Sequence, residues 1–252
     1  RELTNLDIQR AVNLDAKRLS RKSIKSALAL LKSAAEAQDI EISTKRITLP
    51  QAKPTKKDIP SAERLLGVIL GSDIELPCLL AMWLSLRISE VRGLQFCDIS
   101  DDGSLITVQR VKLYVDGKNI LRDVTKTEQS TRTIRLPKYL YERIQALPHK
   151  KETDFIVPMR YELIRKKFRN LMDENGFGIT FHTLRHEFAS TLNDLGVPSD
   201  YIQKIGGWST DNIMKKVYTH TSSTKEEKYQ SVIDDFFDSA IQKITRKSHE
   251  RT

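Results

Sequence analysis

Apolar residues along the chain fall into two short helical patterns, a polar break, a long apolar stretch, a block of alternating sequence and a closing series of helical patterns. Thr4 is placed to cap a helix running to about Leu14, with Leu6, Val12 and Leu14 apolar. Ser20 is placed to cap a second helix to about Ala37, whose apolar residues Ile24, Ala27, Leu28, Leu31 and Ala35 follow helical spacing. Ile47 to Lys57, with Pro50, Pro54 and several lysines, reads as an extended linker. A new unit starts near Asp58. Pro60-Ser61 opens a helix to about Leu70, and another is predicted from Pro77 to about Leu94. The latter is apolar almost all round (Leu79, Leu80, Met82, Trp83, Leu84, Leu86, Ile88, Val91), the pattern of a buried helix.

Alternating β-branched sequence follows at Leu105–Val111, Ile120–Thr125 and Thr131–Leu136, separated by turn residues at Asp116-Gly117 and Glu128-Gln129-Ser130. It predicts three strands of a small antiparallel sheet. From Lys138 onward the chain reads as helices, with breaks at Gly176, Gly196-Val197-Pro198 and Gly206-Gly207. The last helix, about 225–244, carries Tyr229, Val232, Ile233, Phe236, Phe237, Ala240, Ile241 and Ile244 at helical spacing, with Asp234, Asp235 and Asp238 on much of the other side. No internal repeat or low-complexity tract appears. The fold class expected is mixed, mainly α with a small antiparallel β-sheet. Three regions are expected: 1–46, a linker at 47–57, and 58–252.

Composition narrows the function. The chain has 252 residues, 39% hydrophobic and 30% charged, a soluble globular balance. Its longest apolar region, Leu76–Leu86, falls short of the ~20 residues of a membrane helix. No charged-then-apolar leader opens it, and a start at Arg1 within helical sequence suggests a fragment of a longer protein. Cys78 and Cys97 are too few for a disulfide framework or a four-ligand zinc site, which fits a reducing, cytoplasmic setting. The net charge is +9 and the pI about 9.4, which makes nucleic acid the default partner. Residues 1–57 hold 13 Lys and Arg against 6 Asp and Glu, or +7, whereas 58–252 hold 29 against 27, or +2. Arg18, Lys22, Lys25 and Lys32 fall away from the apolar side of the second helix. A solvated face is the ordinary reading of such a run, but the regional +7 turns it toward a phosphate-contacting face.

Certain polar residues stand out against this frame. Arg87 interrupts the most apolar helix of the chain, where an unpaired guanidinium is costly; a pair with Glu90, one turn on, is the plain structural alternative. His182 and Arg185 are three apart on one helix face. Taken alone, they read equally well as a capping His and a surface Arg. A metalloprotease-type zinc reading of His182 and His186 fails because Thr183 stands where that pattern needs Glu. Trp208 and Tyr218, taken singly, are ordinary aromatics.

In order, however, the motifs are specific: Leu86-Arg87-Ile-Ser-Glu90-Val-Arg-Gly-Leu94, a hairpin lysine in Thr125-Lys126-Thr-Glu-Gln-Ser-Thr-Arg132, His182-Thr-Leu-Arg185-His186-Glu187-Phe-Ala189, Gly206-Gly207-Trp208-Ser209 and Tyr218-Thr219-His220. Together they closely resemble the tyrosine recombinase, or phage integrase, family over about residues 58–245. The resemblance implies a tyrosine recombinase catalytic domain preceded by the second half of a helical core-binding domain. By position it makes Arg87, Lys126, His182, Arg185, Trp208 and Tyr218 the catalytic set, with Tyr218 the nucleophile and Glu90 orienting an arginine. Trp208 stands where most members have His. Two departures occur: Trp208 lies ten residues before Tyr218, one more than the family's usual spacing, and Thr183 replaces a frequent Asp. His186, Glu187 and His220 read as structural.

The implied reaction is phosphodiester transesterification through a 3′-phosphotyrosine, with no ATP, no cofactor and no metal. Two guanidinium forks suit the two negative charges on the non-bridging oxygens of the transition state. An imidazole suits removal of a phenol proton with pKa about 10, and Lys126, ahead of its rivals Lys112 and Lys118, suits protonation of the leaving 5′-oxygen. The indole N–H of Trp208 suits a phosphate oxygen, or its ring buttresses Tyr218. Implied partners are double-stranded target and element-end DNA and further copies of the chain, as a dimer or tetramer. The last helix is expected to dock on a neighbouring protomer, packing on its own domain being the alternative. A type IB topoisomerase and a non-catalytic DNA-binding repressor remain the competing readings. The implied location is the cytoplasm of a bacterial host.

Overall fold

The computed structural model describes residues 4–42, 44, 46–51, 60–123, 131–207 and 223–249, with the side chains of 223–228 and 247–249 left aside. Lys126, Trp208, Tyr218 and His220, together with the turn Glu128-Gln129-Ser130, lie outside the described residues. The chain forms two units, Arg1–Lys56 and Lys57–Thr252.

In the first unit, α1 (Asn5–Asp15) begins at Thr4, whose hydroxyl accepts from the Asp7 N–H while the Asp7 carboxylate accepts from the Thr4 N–H, a reciprocal capping box. α2 (Arg21–Glu36) begins at Ser20, which caps the Ser23 N–H. Ile8, Val12 and Ile24 form a small core, flanked by Leu28, Leu31, Ile42, Ile47 and Leu49. Gln9 clasps both backbone groups of Thr48, at 3.1 and 2.8 Å. Leu6, Leu14 and Ala27, expected on the apolar sides, are exposed, because two short helices enclose little volume.

The second unit is built on α3 (Ala62–Ile69), α4 (Glu75–Trp83) and α8 (Phe181–Asp194), whose apolar residues form one continuous core. The helix expected from Pro77 to Leu94 is two. α4 ends at Trp83, Ser85 takes a left-handed conformation (φ 55°), and a one-turn helix, α5 (Ile88–Val91), starts afresh at Arg87. An uninterrupted helix would bury Arg87 in apolar surroundings. The break instead brings its side chain to the surface, 42% exposed.

The three-stranded sheet is also corrected. β1 (Leu105–Val108) pairs antiparallel with β4 (Arg132–Arg135), Ile106 opposite Ile134, while β2 (Arg110–Val115), among the described residues, pairs with β3 (Lys118–Asp123) alone. Gln109 divides the expected first strand: its amide donates to the buried Asp98 (2.7 Å), and Arg110 forms an ion pair with the same carboxylate at 2.8 Å. The β2–β3 turn is Asp116-Gly117, both at positive φ (49° and 79°), as a two-residue hairpin requires. Arg92, 1% exposed, holds this hairpin to the unit by donating to the Lys112 carbonyl (2.8 Å) and the Asn119 amide oxygen (2.6 Å).

α6 (Lys138–Gln145), α7 (Tyr161–Glu174) and α9 (Ser199–Gly206) complete the shell, and α10 (Ser223–His249) closes it. Within the single chain the last helix packs on its own unit, the alternative reading of its stripe. Its Ile233, Phe237, Ala240 and Ile241 are buried in the core of its own unit. Phe237 stacks on Trp83 of α4 (4.7 Å between ring centroids) and Tyr229 packs near Tyr201 of α9 (5.5 Å). The apolar wall of α3 and α4 is what an apolar stripe needs, and it lies within the same unit. Among the described residues no helix is long and apolar enough to cross a membrane.

Candidate active site

Three segments distant in sequence, carrying Arg87 with Glu90 itself, Arg132 and Arg185, meet at Glu90. Arg87, at the N-cap of α5, donates its backbone N–H to Glu90 Oε2 (2.8 Å) and its Nη1 to Oε1 (2.7 Å). The side-chain pair offered as the plain alternative is thus present. Arg132 of β4 donates Nη1 and Nη2 to the two Glu90 oxygens, at 3.3 and 3.0 Å. Arg185 of α8 reaches within 3.9 Å of Oε2. Glu90 is 3% exposed; burial alone would raise its pKa, but the hydrogen bonds and charge of Arg132 and Arg87 outweigh that and hold it below the usual carboxylate range.

The arginines also share a carbonyl. Gly207 O accepts from Arg87 Nη2 (3.3 Å) and Arg185 Nη2 (3.5 Å), so two guanidinium groups are brought side by side. Gly207 ends α9 at φ +60°, and a Cβ there would meet Arg132 Nη1 at 2.9 Å, so the position accepts only glycine without displacement. The left-handed turn at Ser85 presents its carbonyl to Arg185 Nη1. Arg185, not Arg87, is the buried guanidinium of the pair, at 1% exposure. Burial, then the like charge of Arg87, draws it down to about 9 against the pull of Glu90; Arg132 adds to the lowering, and the group stays cationic at neutral pH.

His182 stands in the first turn of α8, one turn before Arg185, with its ring 4.8 Å from that of His186. Partial burial, followed by the positive fields of His186, Arg185 and Arg87, lowers its pKa, leaving a neutral imidazole at pH 7. Thr183, the departure from the frequent Asp, is buried and completes the helix cap: its hydroxyl accepts from the Thr180 N–H at 3.2 Å. Glu187 is buried and accepts from Thr191, away from solvent. Of the rival lysines, Lys112 lies over the Phe155 ring at 3.6 Å, and Lys118 is in β3 opposite Val115.

The structure therefore brings together Arg87, Glu90, His182 and Arg185, whereas Lys126, Trp208 and Tyr218 lie outside the described residues. Arg132 and the carbonyls of Ser85 and Gly207 were missed from sequence. One signal for Arg132 was available: strand alternation puts it on the same face as the buried Ile134. In the first unit Arg18, Lys22, Lys25 and Lys32 are all exposed, Arg18 beside Asp15 (3.2 Å) and Lys32 beside Glu36 (3.5 Å). Among the described residues no group of three or more His, Cys, Asp or Glu could hold a metal ion.

A model of the phage integrase family matches residues 63–225, and the chain belongs to that family, the tyrosine recombinases. An integrase from Streptomyces ambofaciens is 25% identical over 251 residues, covering 86% of this chain; the chain spans only 65% of that relative's length. The integrase of transposon Tn1549, in complex with transposon right end DNA, has a similar fold: TM-score 0.67 at 21% identity, over 90% of this chain and 84% of that one. A lambda integrase tetramer bound to a Holliday junction gives a TM-score of 0.57 at 16% identity, over 86% of this chain and 67% of that one.

Proposed function

We propose that the chain is the DNA-cutting and rejoining part of a site-specific recombinase that integrates or excises a mobile element, acting through a 3′-phosphotyrosine at Tyr218. The observation that carries this reading is the convergence of Arg87 and Arg185 on one carbonyl, at 3.3 and 3.5 Å, beside a neutral His182. Two forks so placed bind the non-bridging oxygens of a phosphodiester and the charge that grows on them. Tyr218 attacks phosphorus, its phenol proton passes to His182, and the P–O bond to the 5′-oxygen breaks. Lys126 gives that oxygen its proton, and Trp208 donates to a phosphate oxygen or braces Tyr218. Rejoining reverses the steps, so the phosphoester energy is kept and neither ATP nor cofactor is needed.

Residues 1–46 act as part of the core-binding domain, with Arg18, Lys22, Lys25 and Lys32 on DNA phosphates. Their exposure and the +7 of residues 1–57 support this. The protein works in the cytoplasm of a bacterial host, as a dimer or tetramer on DNA; the tetrameric state of the lambda integrase neighbour supports that assembly.

The test is covalent capture on a pool of nicked duplexes randomised at the central positions. The wild type forms a protein–DNA adduct, and Tyr218→Phe binds the recovered duplex with unchanged affinity yet forms none. An adduct with Tyr218→Phe means another nucleophile; no adduct with wild type leaves the repressor. Exchange between two captured duplexes separates a recombinase from a topoisomerase.

A further inference from the structure

Glu90 touches three guanidinium groups, and only two of them have a part in the reaction described above. The third, Arg132, has a side chain only 9% exposed, so it is neither a surface cation nor placed to meet DNA broadly. We propose that Arg132 is a positioning residue that engages the Glu90 carboxylate and so leaves Arg87 and Arg185 for the phosphate; this rests on the phosphate-clamp reading of the site.

The geometry is that of a fork on a carboxylate. Nη1 and Nη2 of Arg132 span both Glu90 oxygens, at 3.3 and 3.0 Å. Without that fork the nearest remaining cations are Arg87, already bonded to Oε1 at 2.7 Å, and Arg185, 3.9 Å from Oε2. A buried carboxylate that loses one partner draws on the others. Here the others are the two groups the phosphate needs. Charge points the same way: three guanidinium groups against one carboxylate leave two positive charges, equal to the two negative charges on the transition-state oxygens.

The same side chain also sets a distance. Its Nε donates to Ile205 O at 3.2 Å, at the end of α9, while its fork holds α5. One rigid plane thus spaces Glu90 from the turn whose Gly207 carbonyl both catalytic arginines use. The turn lies against that plane, since a Cβ on Gly207 would come within 2.9 Å of Nη1 and 3.0 Å of Cζ. A lysine offers a point charge and cannot span two carboxylate oxygens and a carbonyl at once.

The experiment uses the whole 252-residue chain with Arg132→Met, Arg132→Lys, Glu90→Gln and the Arg132→Met/Glu90→Gln double variant, on the duplex recovered by covalent capture. Duplex affinity is expected to stay within about twofold, while Arg132→Met slows single-turnover cleavage by about tenfold or more. Arg132→Lys recovers little of that. In the Glu90→Gln background, with the competing charge gone, Arg132→Met costs less than about threefold. If Arg132→Met does not fold, Arg132→Lys and Arg132→Gln carry the same comparisons. A second arm needs no cleavage: inorganic phosphate raises the melting temperature of the wild type and raises that of the Arg132 variants less. Equal losses in both backgrounds, a fully active Arg132→Lys, or affinity falling as far as rate would overturn the proposal. If the wild type forms no adduct, the recombinase reading fails separately. The phosphate arm then decides alone, equal stabilisation of wild type and variant being the adverse result.

Discussion

His182 and Arg185 lie one turn apart on α8, yet their surroundings set them to opposite charge states. Burial, with the influence of His186, Arg185 and Arg87, keeps the imidazole neutral, while the guanidinium keeps its charge through Glu90 and two carbonyls. A lowered imidazole pKa extends the base form to more acid pH. The acid limb of the cleavage profile should therefore fall below the ordinary histidine value of about 6.5. His186→Gln removes a neighbour that disfavours the protonated ring, so His182 should bind its proton more readily and the limb should move to higher pH. Single-turnover rates from pH 5 to 8 measure this, and an unmoved limb would take the base role from His182. The identities of Arg87, Glu90, His182 and Arg185 were legible because residue types at fixed spacing carry them. Arg132 and the carbonyls of Ser85 and Gly207 were not, since their roles arise from contacts across 42, 100 and 120 positions.

Helix and strand positions were largely readable where a cap or turn marks them. Thr4, Ser20 and Ser61 start helices as their side chains predict, and Asp116-Gly117 makes its hairpin. The two misread elements fail for one reason. Apolar periodicity runs straight through Leu84–Leu86 and through Gln109, while the chain turns there to satisfy a buried arginine and a buried aspartate. α10 shows a further limit: its stripe was legible, but periodicity names no partner. Because that stripe closes the α3–α4 wall, Phe237→Ala should cost about 3–5 kcal/mol. A denaturant melt of the second unit would show this as a lower midpoint with little change in slope. A cost below about 1 kcal/mol would mean the helix is only loosely seated.

Charge divides the whole molecule unevenly, and that division was readable from sequence alone: +7 of the +9 lies in residues 1–57. If those residues bind phosphates, deleting them should weaken duplex binding and flatten the dependence of log affinity on log salt concentration. Titrations at several salt concentrations measure both, and an unchanged slope would place the DNA contacts in the second unit. The Glu90 cluster has a consequence for folding kinetics. It closes only when segments 42, 100 and 120 residues apart in the chain have met, and each such loop must be closed before its hydrogen bonds return anything. Helices capped by their own neighbours form sooner. On dilution from denaturant the far-ultraviolet helical signal should therefore recover first and cleavage competence later, so that the newly collapsed chain already has its helices while it is still chemically inert.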